Sequence, residues 1–304
     1  MSLKQKEEIT IWAFKDGKKG HEKQIEALIS EFEKHKIVKI HNFTNYYDHD
    51  SAPDIIVGAG NGTHKHMLTA KKKHHGAKTI VLMKPSIRPT QWFDVAIVPD
   101  MDKYYLGTPK NVISTKGVLS KYSDQEINKK TGLMVIGGKS RHFHFRRKVI
   151  QHQIEWLLNN KFADYQWKIT TSPRSPDMAT PEHKGNAEFF DWKETSEDWL
   201  TNEMQKNEIT FLTPESVSVL YEALSTKTQV YVFHHEKHNS EYGEVSTKVS
   251  KNIDKLKKDG SLGYIDTKRF LLSRSVKDIS LVRPQKDIHL KEVKKVVDEL
   301  LEIL

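Results

Sequence analysis

The stretch EITFLTPESVSVLYEA, residues 208–223, predicts a strand, a turn and a helix in immediate succession. A helix N-terminus leaves backbone N–H groups unpaired and carries partial positive charge, so the turn at Thr213, Glu215 and Ser216 suits an anion such as phosphate. Further along the helix, Glu222 can accept hydrogen bonds from sugar or ribose hydroxyls. A phosphate seat and a hydroxyl acceptor on one helix together predict a nucleotide-sugar site.

The same strand-and-helix alternation runs through the chain and predicts an α/β fold with mostly parallel sheets. We expect two Rossmann-like domains facing each other across a cleft. In the first half, the predicted strands are Ile9–Phe14, Ile37–Ile40, Asp54–Val57, Thr79–Met83 and Val95–Val98, with helices at His21–His35 and Thr63–His75.

A polar stretch, Ser120–Lys130, is interpreted as the linker between an N-terminal domain, residues 1–128, and a C-terminal domain, residues 129–304. The second series of elements comprises strands at Leu133–Ile136, Trp167–Thr171, Ile209–Leu212 and Gln229–Phe233, and helices at Arg146–Asn159 and around Glu222. An amphipathic helix over residues 288–304 is assigned to the C-terminal domain. It is expected to pack against a domain, with a membrane-surface or dimer helix as the alternative.

Composition narrows the choice of partners. The chain has 304 residues and a net charge of +9, which favours anionic partners such as nucleotides or an anionic membrane. Its lysines are scattered without interleaved aromatic residues, so nucleic acid is not expected. The absence of cysteine excludes disulfides and thiol catalysis, and the first residues lack an apolar signal core. We expect a cytoplasmic protein, with peripheral contact with the inner membrane as an open alternative.

The first strand-to-helix turn contains two candidate catalytic residues, Asp16 and His21. Gly17 and Gly20 in the same turn allow a ligand to approach the backbone closely. A histidine at the start of the following helix has a pKa near neutrality and is a candidate general base. A glycine turn with a surface histidine fits the spacing equally well.

A second glycine-rich turn, GAGNGTH, occupies residues 58–64 after a predicted strand. Three glycines in five residues exceed what a simple turn needs, so Gly60, Gly62, Thr63 and His64 are interpreted as part of a ligand-facing loop. Thr63 is also a natural cap for the next helix.

In the second half, Gly137, Gly138 and Ser140 follow a strand and predict a diphosphate-binding turn. A P-loop is disfavoured, because its first glycine would fall at Leu133. Thr171, Ser172 and Arg174 follow another strand, and Arg174 can pair with phosphate oxygens; a surface arginine is the alternative.

Short-spaced histidines do not form a recognisable zinc motif. His235-Glu236-Lys237-His238 is one residue too short to place both rings on one helical face, so no metal site and no cofactor are predicted.

Taken in order, these loops resemble the bacterial and plant family named after the elongated-mitochondria (mitochondrial fission) factor of plants, and this chain looks like a bacterial member. The motifs that carry the resemblance are W-x-x-x-D-G-x-x-G-x-x-x-Q from Trp12 to Gln24, P-D-x-x-x-G-A-G-x-G-T-H at Pro53–His64, L-M-K-P at Leu82–Pro85, W-F-D at Trp92–Asp94, I-G-G-x-S at Ile136–Ser140, T-S-x-R-x-P at Thr171–Pro176 and T-x-D-S-V-S-x-x-x-E-A at Thr213–Ala223.

The resemblance implies a GT-B-like fold and a metal-independent glycosyl transfer from a nucleotide-sugar, expected to be UDP-linked. The donor would bind the C-terminal domain, at the loops named above together with Ser216 and Ser218, and the acceptor would bind the glycine loops of the N-terminal domain. Two departures stand out: the family commonly has arginine where this chain has Pro173, and aspartate where it has Glu215.

Two other functions stay open at this point. The first is a non-catalytic binding or scaffold protein with the same fold at a membrane or protein surface. The second is a nucleotide-sugar epimerase, whose catalytic carboxylates or histidines would have to converge around the sugar ring.

Overall fold

A computed structural model describes residues 3–47, 49–102, 104, 106–175, 185–240, 243–269 and 276–304. The chain forms two compact units, one of residues 1–122 and 291–304 and the other of residues 123–290. Pro176, the last residue of the T-S-x-R-x-P motif, lies outside the described residues.

The first unit contains a six-stranded, fully parallel sheet in the order β2-β1-β3-β4-β5-β6. Its inner strands are continuous apolar runs buried along their whole length, as expected for a parallel sheet covered on both faces. The elements are β1 Glu8–Phe14, α1 Lys19–Phe32, β2 Ile37–Phe43, β3 Ile55–Ala59, α2 Asn61–Lys73, β4 Lys78–Leu82, β5 Val95–Pro99 and β6 Val112–Thr115.

The second unit contains a seven-stranded sheet in the order β15-β14-β11-β10-β7-β8-β9, in which only the β14–β15 pair is antiparallel. Its elements are β7 Asn128–Ile136, α3 Arg147–Trp156, β8 Gln166–Thr171, β9 Ala187–Phe190, α4 Trp199–Lys206, β10 Asn207–Leu212, α5 Val217–Leu224, β11 Gln229–Val232, a small hairpin of β12 Asn239–Ser240 and β13 Gly243–Glu244, α6 Lys248–Lys258, β14 Gly263–Arg269 and β15 Val276–Val282.

Two parallel-dominated sheets confirm the predicted α/β class, and the predicted strands form with small shifts at their ends. The predicted linker is too long, because β7 already begins at Asn128. The sequence patterns did not predict β6, β9, β14, β15, α4, α6 or the β12–β13 hairpin. In α6, lysines fill five of the eleven positions, and the only buried apolar side chains described are Val249 and Ile253.

The final helix, α7 Glu292–Ile303, belongs to the first unit and not to the predicted C-terminal domain. Its apolar stripe packs with α1 in one buried cluster on one face of the first sheet, while α2 covers the other face. Val293, Val297 and Leu300 are fully or almost fully buried. The predicted stripe is correct, but it is used for the core, which leaves no free apolar face for a membrane.

Because α7 is buried on one face only, alanine substitutions at Leu300 and Ile303, one turn apart, should differ in their effect on the free energy of unfolding. Leu300→Ala should lower the free energy of unfolding by about 2–5 kcal/mol, because Leu300 is fully buried and its removal leaves a cavity. Ile303→Ala is the matched control: Ile303 is 55% exposed, so we expect a change within about 0.5 kcal/mol. Urea unfolding of both variants measures this, and equal effects would contradict the assignment of α7 to the core.

Candidate functional site

In the second unit, three predicted donor loops meet at one edge of the sheet. Strand β7 lies between β8 and β10, so the chain leaves β7 toward one side and β10 lies on the other. Such a reversal of strand order opens a crevice at the carboxyl ends of the strands, where α/β proteins bind ligands. The loops that follow β7, β8 and β10 carry Gly137–Ser140, Ser172–Arg174 and Thr213–Ser216 respectively.

The glycine turn after β7 is packed against the loop after β10. The Gly137 N–H donates to Thr213 Oγ1 at 2.7 Å, and the Gly138 N–H donates to Glu215 Oε1 at 3.1 Å. A Cβ on Gly137 would lie 1.4 Å from Glu215 Oε1, and one on Gly138 would lie 1.7 Å from the Arg174 carbonyl oxygen. Both positions therefore require glycine. Both amides already have acceptors within the chain, and the predicted binding of a diphosphate at this turn stays a prediction.

Glu215 is the buried centre of this arrangement. Its Oε1 also accepts from the Thr213 hydroxyl at 3.2 Å, while Oε2 is buried and has no hydrogen-bond partner among the described residues. Burial raises the pKa of Glu215, although its hydrogen bonds and the charge of Arg174 act in the opposite direction. The carboxylate of Glu215 itself therefore already occupies the turn that the sequence predicted to bind phosphate.

The loop after β8 is hydrogen-bonded to β7 through a serine hydroxyl, and it carries one exposed arginine. Ser175 Oγ donates to the Ile136 carbonyl at 2.7 Å and accepts from the Ser172 N–H at 2.8 Å. Arg174 is exposed; its charge opposes the rise in pKa that burial causes at Glu215 and adds to the lowering of the pKa that burial causes at His142. This arginine is therefore within electrostatic reach of Glu215, and its predicted pairing with phosphate oxygens stays a prediction. Thr171 ends β8 and is half-buried.

Helix α5 begins at this edge with its first turn uncapped. Its N-cap, Ser216, makes no side-chain cap hydrogen bond in the described part of the chain, and Ser218 is half-buried in the first turn. By contrast, α6 has a full capping box, in which Thr247 and Ser250 each bond the other's backbone N–H. Of the N-termini of α5 and α6, the uncapped one of α5 is therefore the better candidate for an anion-binding site.

Glu222 is buried and already hydrogen-bonded to another residue of the second unit. Its carboxylate is buried and accepts a hydrogen bond from the Thr201 hydroxyl of α4. The structure therefore engages this side chain within the second unit, and its predicted contact with ribose or sugar hydroxyls stays a prediction.

A histidine cluster borders the same crevice. In the sequence, closely spaced histidines were weighed only as metal ligands. Ser140 Oγ accepts from the His142 and Phe143 N–H groups at 3.2 Å, and the Ser140 carbonyl lies 2.9 Å from His238 Nε2. The His144 and His238 rings are 4.1 Å apart. Burial, followed by neighbouring positive groups, lowers the pKa of both His142 and His144. Within the described residues, no His, Asp and Glu side chains are grouped for a metal ion.

In the first unit, the two candidate catalytic residues form a pair at the β1–β3 reversal of strand order. Asp16 Oδ2 and His21 Nδ1 are 2.9 Å apart, and Asp16 Oδ1 accepts from the Lys18 N–H at 3.2 Å. Burial raises the pKa of Asp16, but its bond to His21 and the neighbouring positive groups outweigh this and lower it overall. An ionised carboxylate can only accept, so the hydrogen bond between the two side chains places a proton on His21 Nδ1.

The backbone of the second glycine loop lies directly against this pair. Gly60 has a φ of +83°, and a Cβ there would lie 2.6 Å from the His21 ring and 2.7 Å from Asp16 Oδ2. A Cβ on Gly62, in the first turn of α2, would lie at an ordinary 3.5 Å from Asp16 Cβ. Gly17 has a φ of +78°, which explains glycine at that position. Gly20 lies in the first turn of α1, and its carbonyl accepts from the Gln24 side chain.

Two residues of the same loop point inward, contrary to their predicted ligand-facing positions. Thr63 is buried, and its hydroxyl donates to the Gly60 carbonyl at 2.9 Å; the N-cap of α2 is Gly60, not Thr63. His64 is buried against Phe93, and burial, together with the charge of Arg88, lowers its pKa to about 4. His64 is therefore a neutral core residue.

Two parallel α/β units, each with a polar crevice where its strand order reverses, have the GT-B fold of glycosyltransferases and related epimerases. A UDP-glucosyltransferase from Polygonum tinctorium is similar over 98% of this chain and 90% of its own, with a TM-score of 0.51 and 7% identity. The UDP-GlcNAc 2-epimerase from Methanocaldococcus jannaschii matches 97% of this chain and 99% of its own, with a TM-score of 0.50 and 10% identity. The glycosyltransferase of kitacinnamycin matches 98% of this chain and 91% of its own, with a TM-score of 0.50 and 10% identity.

The chain belongs to the mitochondrial fission ELM1 family, whose profile matches residues 11–302. No curated protein sequence matches it at a significant level.

The contact between Gly60 and the Asp16–His21 pair can be tested with two alanine variants. Gly60→Ala should destabilise the protein by at least about 1–2 kcal/mol, because the left-handed backbone disfavours a Cβ and the His21 ring must move. Gly62→Ala should be neutral or stabilising by up to about 1 kcal/mol, because alanine favours the helix. Chemical unfolding of both variants measures this, and a neutral Gly60→Ala would disprove the close packing.

Proposed function

We propose that the protein transfers a sugar from a UDP-linked nucleotide-sugar to an acceptor hydroxyl. The observation that carries the proposal is the uncapped N-terminus of α5 at the switch point of the second sheet, with Arg174 within electrostatic reach of Glu215 in the loop before that helix. Unpaired N–H groups and a guanidinium are the groups that bind a diphosphate. The family's fold supports the proposal, because relatives with this fold include proteins named for UDP-sugars.

On the donor side, the first-turn amides of α5 and the hydroxyls of Ser216 and Ser218 bind the diphosphate. Arg174 pairs with its oxygens and neutralises the negative charge that develops as the diphosphate leaves. This positive charge performs the task of a metal ion, so the proposed transfer is metal-independent. The Gly137–Gly138 turn shapes the crevice but does not donate its two amides.

On the acceptor side, His21 is the proposed general base. Its Nε2 takes the proton of an acceptor hydroxyl, the hydroxyl oxygen forms a bond to the anomeric carbon, and the bond from that carbon to the diphosphate breaks. Asp16 holds the Nδ1–H tautomer and stabilises the imidazolium that results. The separation of Asp16 and His21 supports this role, since a carboxylate that orients a histidine is the usual arrangement for such a base.

The proposed donor site predicts that Arg174 contributes to the affinity for a UDP-sugar. The protein should bind a UDP-sugar in preference to GDP- and CMP-sugars, and Arg174→Ala should weaken that binding by about tenfold or more, the effect of a lost charge-assisted bond. Lys206→Ala is the control, because Lys206 ends α4 next to the amino end of β10, at the opposite edge of the sheet. Calorimetric titration measures both.

Absence of nucleotide-sugar binding, or equal binding by wild type and Arg174→Ala, would contradict the proposal. Nuclear magnetic resonance of the donor incubated without acceptor separates transfer from epimerisation. An unchanged sugar is expected for a transferase, and a sugar inverted at one carbon would indicate an epimerase instead.

A second candidate function, contact with an anionic membrane, is favoured by one surface of the first unit. We define the loop patch as Lys84, Ile87, Arg88, Trp92 and Leu106. Ile87, Trp92 and Leu106 are 73%, 55% and 102% exposed. Large exposed apolar side chains beside cationic groups, such as these three, are typical of surfaces that lie at a bilayer interface.

The two loops of the patch are fixed to each other. The hydroxyls of Thr90 and Tyr104 share a hydrogen bond, and Lys84 Nζ lies 4.0 Å above the Tyr104 ring. This surface replaces α7 as the candidate contact, since the stripe of α7 is buried. Among the described residues, no helix is long and apolar enough to cross a bilayer.

The loop patch predicts a selective loss of membrane binding. The triple variant Ile87→Ser, Trp92→Ser, Leu106→Ser should sediment with phosphatidylserine-containing vesicles at least about fivefold less than wild type, because interfacial apolar area is lost. Ile303→Ser, which changes an exposed apolar residue of α7, is the control and should bind as wild type does. Equal sedimentation of all three proteins, or no dependence on anionic lipid, would rule out the patch.

A further inference from the structure

The carboxylate of Glu215 occupies a position that an anionic ligand would otherwise take. It lies in the loop that leads into α5 and accepts from the Gly138 N–H and the Thr213 hydroxyl. Backbone amides at a strand-to-helix turn next to a helix N-terminus are the usual partners of a phosphate oxygen. Here a side chain of the protein itself fills that place.

The other oxygen of this carboxylate makes Glu215 a costly group to keep ionised. Glu215 is only 6% exposed, and its Oε2 has no hydrogen-bond partner within the described residues. A buried charge that is not fully paired loses its hydration without compensation. The groups packed around it are the Gly137–Gly138 turn, Thr213 and the loop of Arg174, and of these only Arg174 is charged.

We propose that Glu215 is a proton-linked stand-in for phosphate, and that binding of a diphosphate or other dianion at the N-terminus of α5 is accompanied by proton uptake at Glu215. The proposal rests on the anion seat of the proposed function. A bound dianion brings a second negative charge into the crevice and draws Arg174 toward itself. Both changes disfavour the ionised carboxylate, and the neutral acid can donate from Oε2 to a ligand oxygen.

The direction of the pH dependence follows from the proposed proton uptake, and burial, which raises the pKa of Glu215, favours that uptake. A group that takes up a proton on binding makes the ligand bind more weakly as the pH rises through the pKa of the free protein. The length of the side chain is also important, because Glu215 reaches the Gly138 N–H. An aspartate, which is common at this position in the family that the sequence resembles, is one methylene shorter.

The experiment is calorimetric titration with two probes that do not themselves titrate near neutrality, UDP-glucose and sulfate, in buffers of different protonation enthalpy between about pH 6 and about pH 8. Wild type should take up protons on binding, and binding should weaken as the pH rises. Glu215→Gln should abolish the Glu215 part of the uptake and bind about tenfold more tightly at the upper pH, because one like charge is removed.

Two comparisons keep the result specific. Glu208→Gln removes the same charge from the start of β10, where Glu208 accepts from the Lys130 N–H, and should leave proton uptake unchanged. Residual uptake shared by wild type and Glu215→Gln reports other nearby groups, such as His142 and His144. If Glu215→Gln folds poorly, Glu215→Asp retains the charge but loses the reach to Gly138, and it should bind more tightly than wild type while still taking up protons.

The outcomes separate this inference from the proposed function. Binding of UDP-glucose with equal proton uptake by wild type and Glu215→Gln overturns the inference but leaves the function. Sulfate binding with uptake that Glu215→Gln abolishes supports the inference even if UDP-glucose does not bind, in which case the proposed function fails. If neither probe binds either protein, or if Glu208→Gln gains as much affinity as Glu215→Gln, the inference is wrong.

Discussion

The close approach of backbone at Gly137 and Gly138 is the constraint on which the crevice of the second unit depends. At these two residues, the loops after β7, β8 and β10 are closer together than any Cβ would permit. The strand order brings the three loops to one edge, but the missing side chains let Thr213 and Glu215 reach the turn amides. Replacing either glycine would separate the loops and, with them, Arg174 from the N-terminus of α5.

The sequence was sufficient to predict the architecture because the buried strands are plain apolar runs. Strands such as Ile55–Ala59 and Val95–Pro99 carry the parallel-sheet signal without interruption. Elements at the sheet edges or with lysine-rich faces, such as β9 and α6, carry a weaker signal and were not predicted. The placement of α7 was beyond the sequence as well: an amphipathic stripe shows that a helix has a buried face, but it does not say which sheet the helix covers.

At the candidate site, residue types were predicted better than their orientations. The Asp16–His21 pair follows from a single strand-to-helix turn, and the convergence of three donor loops follows from turns at the ends of adjacent parallel strands. In contrast, His64 lies in the core and Glu222 bonds Thr201, because a residue's place along a helix does not fix which neighbour its side chain meets. The occupation of the glycine turn by Glu215 depends on one methylene of reach, and only coordinates can show it.

The location of α7 has a consequence for how the protein is made. The first unit is assembled from both ends of the chain, with every residue of the second unit between them. During synthesis from the N-terminus, the first sheet emerges early, but the face that α1 and α7 cover together remains only partly covered until residues 291–304 have left the ribosome. The second unit has all of its strands available before then. We therefore expect the second unit to fold first and the first unit to rely on chaperones in the interval, since exposed apolar sheet faces aggregate.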